Sequence, residues 1–109
     1  GIVKHSYLVV AKDGQVKAMG FGPAPGFQLE ASKIPVPGMV RTETSATLSV
    51  SIFRVRTWDL AKVASVWGNM DKISMPIYYL ADPNRNCYGW TNAVLTKSGL
   101  PPVDSRDVW

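Results

Sequence analysis

Cysteine, histidine, charge and long apolar runs are all scarce in this chain, and each scarcity closes off a class of protein. A single cysteine cannot form an internal disulfide, and one cysteine with one histidine falls short of the four ligands that a structural zinc site usually takes. Packing must therefore supply the stability, and no metal or cofactor is expected. The apolar stretches are strand-sized, far below the roughly 20 residues of a membrane-spanning helix, and no charged segment followed by an apolar one opens the chain. The chain thus reads as soluble, with no membrane span. Charged residues make up only 18%, and the 12 lysines and arginines behind the net charge of +4 are dispersed rather than gathered into a patch. That distribution is only weak support for a nucleic-acid groove and suits attraction to an anionic surface or polymer equally well, so no nucleic-acid partner is expected.

What is present is the composition of a folded domain. Hydrophobic residues reach 46% of 109 residues, enough for one core and too few for two, so residues 1–109 are read as a single domain. The opening Gly1-Ile2-Val3-Lys4 has no initiator Met and runs straight into a strand-like stretch, which suggests a piece excised from a longer polypeptide.

Residues 6–21 read as a β-hairpin. Asp13-Gly14 supplies the positive φ angles of a two-residue type I′ turn between Ser6–Lys12 and Gln15–Phe21. Both faces of the first strand are apolar, which places it centrally in its sheet. The Pro- and Gly-rich stretch from Gly22 to Arg41 reads as a long loop forming one wall of a cleft. Alternation of Leu48, Val50 and Ile52 with Thr47, Ser49 and Ser51 predicts a third strand.

A helix is predicted after a Thr57 cap, with Leu60, Val63, Ala64 and Trp67 packing on the sheet and Gly68-Asn69 ending it. Met75–Leu80 reads as a short extended segment, and Asp82–Asn86 as a tight turn. A second helix should run from Cys87 to Ser98, capped by Asn86 and closed by Gly99, with Trp90 and Val94 inward. Trp58, Trp67 and Trp90 are assigned to the core, and Trp109 to a frayed end or a partner contact.

The chemistry centres on Asn86-Cys87-Tyr88-Gly89-Trp90. A thiol in the first turn of a helix meets unpaired backbone N–H groups and the positive end of the dipole, which favour a thiolate and can also donate to an oxyanion. A thiolate nucleophile needs a proton carrier, and His5 is the only histidine available. Strand ends and helix starts commonly meet at one edge of an α+β domain, so residues 5 and 87 can touch. The competing reading is a non-catalytic binding module with Cys87 buried in the core.

Pro76 to Pro101 resembles the nucleophile segment of NlpC-type cell-wall peptidases, in which an Asp-Cys-Ser-Gly-aromatic motif opens a helix that ends before a Gly-apolar-Pro turn. Here Asn86, Cys87, Tyr88, Gly89 and Trp90 stand in the motif, and Gly99, Leu100 and Pro101 in the turn. The only histidine precedes the cysteine by 82 positions. This order is similar to the circularly permuted branch, which includes lecithin-retinol-acyltransferase-like proteins and bacterial toxin domains. His5-Ser6-Tyr7-Leu8-Val9-Val10, the Asp13-Gly14 turn and Gly20-Phe21-Gly22-Pro23 fit its beginning.

The resemblance implies a papain-like, circularly permuted α+β fold with a small antiparallel sheet packed against two helices. It implies a thiol peptidase or amidase with Cys87 as nucleophile and His5 as its partner. Peptidoglycan is the implied substrate, and the implied setting is a secreted antibacterial effector delivered to a cell envelope, with an immunity or inhibitor protein as partner. A protein deamidase or a lipid acyltransferase using the same pair is the alternative enzyme. Tyr78 and Tyr79 are candidates to shape the cleft or support the oxyanion, with packing beneath the loop as the competing role, and Asn86 is a helix cap. The residue that orients His5 is left open among Gln28, Ser51 and a backbone carbonyl; Gln15 lies at the far end of the hairpin, on the order of 20 Å away at about 3.3 Å per residue.

Overall fold

A computed structural model describes residues 5–49, 51 and 55–103. It is α+β: a four-stranded antiparallel sheet in the order β1-β2-β3-β4 with three helices. The elements are β1 (Tyr7–Lys12), β2 (Gln15–Pro23), β3 (Val36–Thr42), α1 (Ser45–Ser49), α2 (Leu60–Lys72), β4 (Ile77–Tyr78) and α3 (Cys87–Lys97). None of the described helices is long and apolar enough to cross a membrane.

The hairpin forms as its turn dictates. Asp13 (φ 52°) and Gly14 (φ 75°) both take left-handed backbone, and Lys12 pairs with Gln15. β1 is nevertheless at the edge of the sheet, and β2 and β3 are the inner strands. Val10 and Leu8 face the core formed with α2 and α3, whereas Val9 on the other face is 38% exposed. Apolar residues on both faces therefore did not signal a central strand, because the outer face of β1 carries no second layer.

Two further expectations are corrected between Gly22 and Ile52. The stretch read as one loop contains β3, which accommodates Pro37 and Gly38 at its start. There Pro37 O accepts from Ala24 N (2.8 Å), and a Cβ on Gly38 would stand 2.3 Å from the Phe21 ring. Conversely, the predicted third strand begins as the one-turn helix α1. Thr44 caps it, with its Oγ1 accepting from Thr47 N (3.2 Å) and its carbonyl from Leu48 N (3.0 Å), so local hydrogen bonding overrides the alternation. Val50 and Ile52 of that prediction lie outside the described residues.

The cap of α2 is Asp59, whose Oδ1 accepts from Lys62 N (2.9 Å), not Thr57, and the helix runs through Gly68 and Asn69 to Lys72. Its core stripe is Val63, Val66, Trp67 and Met70, rotated from the predicted one; Leu60 is 67% exposed and Ala64 is also exposed. Trp58 is 36% exposed and does not join the core. Trp67 is half-buried under the ammonium groups of Lys12 and Lys17, 5.9 and 4.8 Å from its ring centre. Trp109 lies outside the described residues.

α3 matches its prediction. Trp90 and Val94 are fully buried, and the helix ends in a Schellman motif, with Gly99 at φ 79°, Gly99 N donating to Thr96 O (3.1 Å) and Leu100 N to Leu95 O (2.9 Å). Thr91, on the same buried face, is the exception. Its Oγ1 has no hydrogen-bond partner although the residue is 1% exposed. Thr91→Val exchanges an orphaned hydroxyl for a methyl of similar size and should raise stability by about 1 kcal/mol. A denaturation midpoint that stays put or falls would show that the hydroxyl is satisfied.

Candidate functional site

Asn86 builds the start of α3. Its Oδ1 accepts from Gly89 N (3.0 Å), its Nδ2 donates to Leu80 O (3.1 Å), and its carbonyl accepts from Trp90 N (3.2 Å). The second bond needs an amide: a carboxylate at this position would cap the helix but could not donate to the Leu80 carbonyl. Gly89 is equally constrained, because a Cβ there would sit 2.6 Å from Pro83 O and from the Asn84 carbonyl carbon. The turn before the helix is thereby pressed against its first turn, which fixes where the Cys87 side chain emerges.

Cys87 is 1% exposed. Its sulfur accepts a hydrogen bond from the Ser6 backbone N–H (3.4 Å), which ties the residue before β1 to the start of α3. That bond brings the backbone next to His5 against the sulfur, and Cys87 is the largest influence on the protonation of His5.

The residue that sequence reasoning missed is Glu43. It follows β3 directly, its N–H donates to Ala18 O (2.9 Å), and its Oε1 lies 2.5 Å from His5 Nε2. The Glu43 side chain is 11% exposed and the His5 side chain 38%, so solvent reaches the pair from the histidine side. With Nε2 on Glu43, Nδ1 is the ring nitrogen left for the thiol. The pKa of His5 is raised from 6.5 to about 9: the hydrogen bond to Cys87 contributes most, burial opposes it, and the hydrogen bond to Glu43 and the charges of both partners add to the rise.

Gly20 makes room for this pair. A Cβ on it would lie 2.2 Å from Glu43 Oε1 and 3.1 Å from His5 Nε2. Glycine inside a strand was the available signal, since it often marks close approach of another group.

Neither candidate orienting side chain touches the imidazole directly. Gln28 accepts from Gly26 N (3.1 Å) within its own loop. Ser51 acts one step away: its Oγ accepts from the Tyr7 hydroxyl and donates to Thr47 O (2.7 Å), and the Tyr7 ring stacks on His5 with centroids 5.5 Å apart and planes at 26°. Glu43 and Ser51 thus hold the imidazole from both ends of one short segment.

Tyr78 is buried, tilted against Phe21 with centroids 5.5 Å apart. Its pKa is pushed up to about 12, first by burial and then by the negative charge of Cys87, so the phenol keeps its proton. Beside it lies an open cavity of about 390 Å³ walled by Pro23 at the end of β2, by Gln28, Leu29, Ala31 and Ser32 of the loop after it and by Leu80. Tyr79 plays a different part. Its backbone N–H donates to Arg85 O (3.0 Å) and its carbonyl accepts from Asp82 N (3.1 Å), bracing the turn before α3, and no described contact carries its ring to the thiol.

Among the described residues no group of three or more His, Cys, Asp and Glu could hold a metal ion. No protein-family model, no curated protein and no solved structure matches the chain.

Proposed function

We propose that the protein is a cysteine hydrolase of amide bonds in which Cys87, His5 and Glu43 act as nucleophile, proton carrier and orienting acid. One observation carries this reading: the only histidine is hydrogen-bonded to a largely buried carboxylate, and the residue after it is hydrogen-bonded through its backbone N–H to the only cysteine. A ring held protonated at neutral pH beside the thiol is the proton donor that such a cycle needs.

In the proposed cycle the Cys87 thiolate attacks the carbonyl carbon, and the oxyanion is met by backbone N–H at the start of α3. Gly89 N–H is taken by the cap, so the Tyr88 amide, next to the thiol, is the natural donor, with the Tyr78 hydroxyl as a second. The C–N bond breaks as His5 gives its proton to the departing amine. Water then adds to the thioester while His5 takes a proton back, which releases the acid and restores the ion pair. Glu43 keeps the imidazole turned toward sulfur throughout.

The papain-like permuted fold and bacterial peptidoglycan as substrate belong to this proposal on the strength of the NlpC-type motif around Cys87. So do action as a secreted effector at a cell envelope and control by an immunity protein. A second reading, acyl transfer from a lipid by the same residues, is favoured by the apolar side chains of Pro23, Leu29, Ala31 and Leu80 around the cavity beside Tyr78.

Mass spectrometry of peptidoglycan fragments incubated with the protein and with Cys87→Ala tests the reading. Peptide cleavage by the first and none by the second is expected; equal turnover by the two sinks it.

A further inference from the structure

Two side chains at the end of β3 and just after it, Arg41 and Glu43, lean across glycines of β2, and only Glu43 is accounted for by the proposed chemistry. Strand pairing sets the rows on one face of the sheet: Tyr7, Gly20 and Arg41 stand side by side, because Tyr7 pairs with Gly20 and Gly20 with Arg41. The next row toward the site holds Gly22, paired with Met39 and, on extending the register by two residues, placed opposite His5. Glu43 leans by one row to lie over Gly20. Arg41 leans the same way: its Nη2 would stand 3.2 Å from a Cβ on Gly22 and donates to Pro23 O at 3.0 Å.

Same-face positions along a strand are about 7 Å apart, so a guanidinium over Gly22 and an imidazole over Gly20 are near neighbours. Arg41 is exposed, and no carboxylate of the described residues pairs with it. Its one described hydrogen bond leaves most of its five donors to solvent. A planar, permanently charged fork on the rim of a reactive centre matches the geometry of a carboxylate.

We propose that Arg41 is a substrate-binding residue that receives a carboxylate on the substrate, beside the bond that Cys87 attacks. This rests on the reading of Cys87 as a reactive nucleophile, and it adds that the substrate is an anionic, carboxylate-bearing amide rather than a neutral one.

Alkylation of the single cysteine tests it without knowledge of the natural substrate. Iodoacetate carries a carboxylate and iodoacetamide does not; either forms an S–C bond to Cys87 and expels iodide. The ratio of the two rates, iodoacetate over iodoacetamide, is measured in the unmodified protein, in Arg41→Gln and in Arg41→Lys. Loss of a charge near the surface at short range should lower the ratio roughly 3- to 10-fold in Arg41→Gln. It should remain closer to the starting value in Arg41→Lys and shrink with added salt. His5 attracts iodoacetate in all three proteins, so the difference between variants isolates Arg41. An unchanged ratio in Arg41→Gln overturns the proposal while leaving a reactive Cys87 in place. Failure of both reagents to label the unmodified protein removes the nucleophile, and this proposal with it.

Discussion

In a proton NMR titration the imidazole of His5 should lose its proton near pH 9, and in Cys87→Ala the midpoint should fall by more than it does in Glu43→Gln. His5 is the only histidine, so its ring signals need no assignment. The order of the variants follows from the causes: the hydrogen bond to Cys87 raises the pKa most, the one to Glu43 raises it less, and burial pulls the other way throughout. Removing Cys87 leaves only the Glu43 contacts against burial, whereas removing the Glu43 charge leaves the larger contribution in place. The sign for stability is equally fixed. The folded value of about 9 lies above the ordinary 6.5, so stabilisation by this ring is fully present below about pH 6.5 and is lost as pH rises through about 9. Hydrolysis should decline over the same alkaline range, because an imidazole without its proton cannot protonate the departing amine. A midpoint near 6.5 in the unmodified protein, unmoved by Cys87→Ala, would dismantle the ion pair.

Trp90→Ala should remove most of the folding stability. Trp90 is fully buried at the centre of the core cluster, and its Nε1 donates to Ile73 O at 2.8 Å, joining α3 to the end of α2. Truncating a buried tryptophan costs about 3–5 kcal/mol, against a total of about 5–15 kcal/mol for a domain. The Ile73 carbonyl would also lose its partner. In guanidinium denaturation the midpoint should collapse, with little folded protein left at 37 °C. Trp90→Phe keeps most of the apolar volume and should lose less. A shift below about 1 kcal/mol in Trp90→Ala would mean that Trp90 does not anchor the core.

The two halves of the site were unequally legible in the sequence. Cys87 and its helix could be placed because the determinants are local: an Asn cap, a Gly in the first turn and a Gly four positions past Leu95, the last buried apolar residue of the helix. Glu43 could not, because it follows a strand that carries Pro37-Gly38 near its start, residues that read as loop. The polar–apolar alternation after it was taken for a strand where Thr44 instead starts a helix turn. The third member of the site depends on pairing between β2 and β3, which composition does not encode. Its trace is Gly20, where a Cβ would crowd Tyr7 of the paired strand and, more closely still, Glu43. The rotated stripe of α2 has a similar origin: two interleaved apolar stripes share Val63 and Trp67, and packing against β1 chose the one with Met70.

The edge position of β1 divides the site into parts of unequal thermal robustness. Cys87 belongs to the helix that anchors the core, whereas His5 precedes the first paired residue of a strand held along one side by β2. Strand ends open locally at far lower free energy than a core helix unfolds. Warming would therefore part histidine from sulfur while the rest of the domain stays folded, and cooling would rejoin them. Inactivation of this kind is reversible and leaves α3 intact, so the temperature range for activity should be narrower than the range over which the protein stays folded.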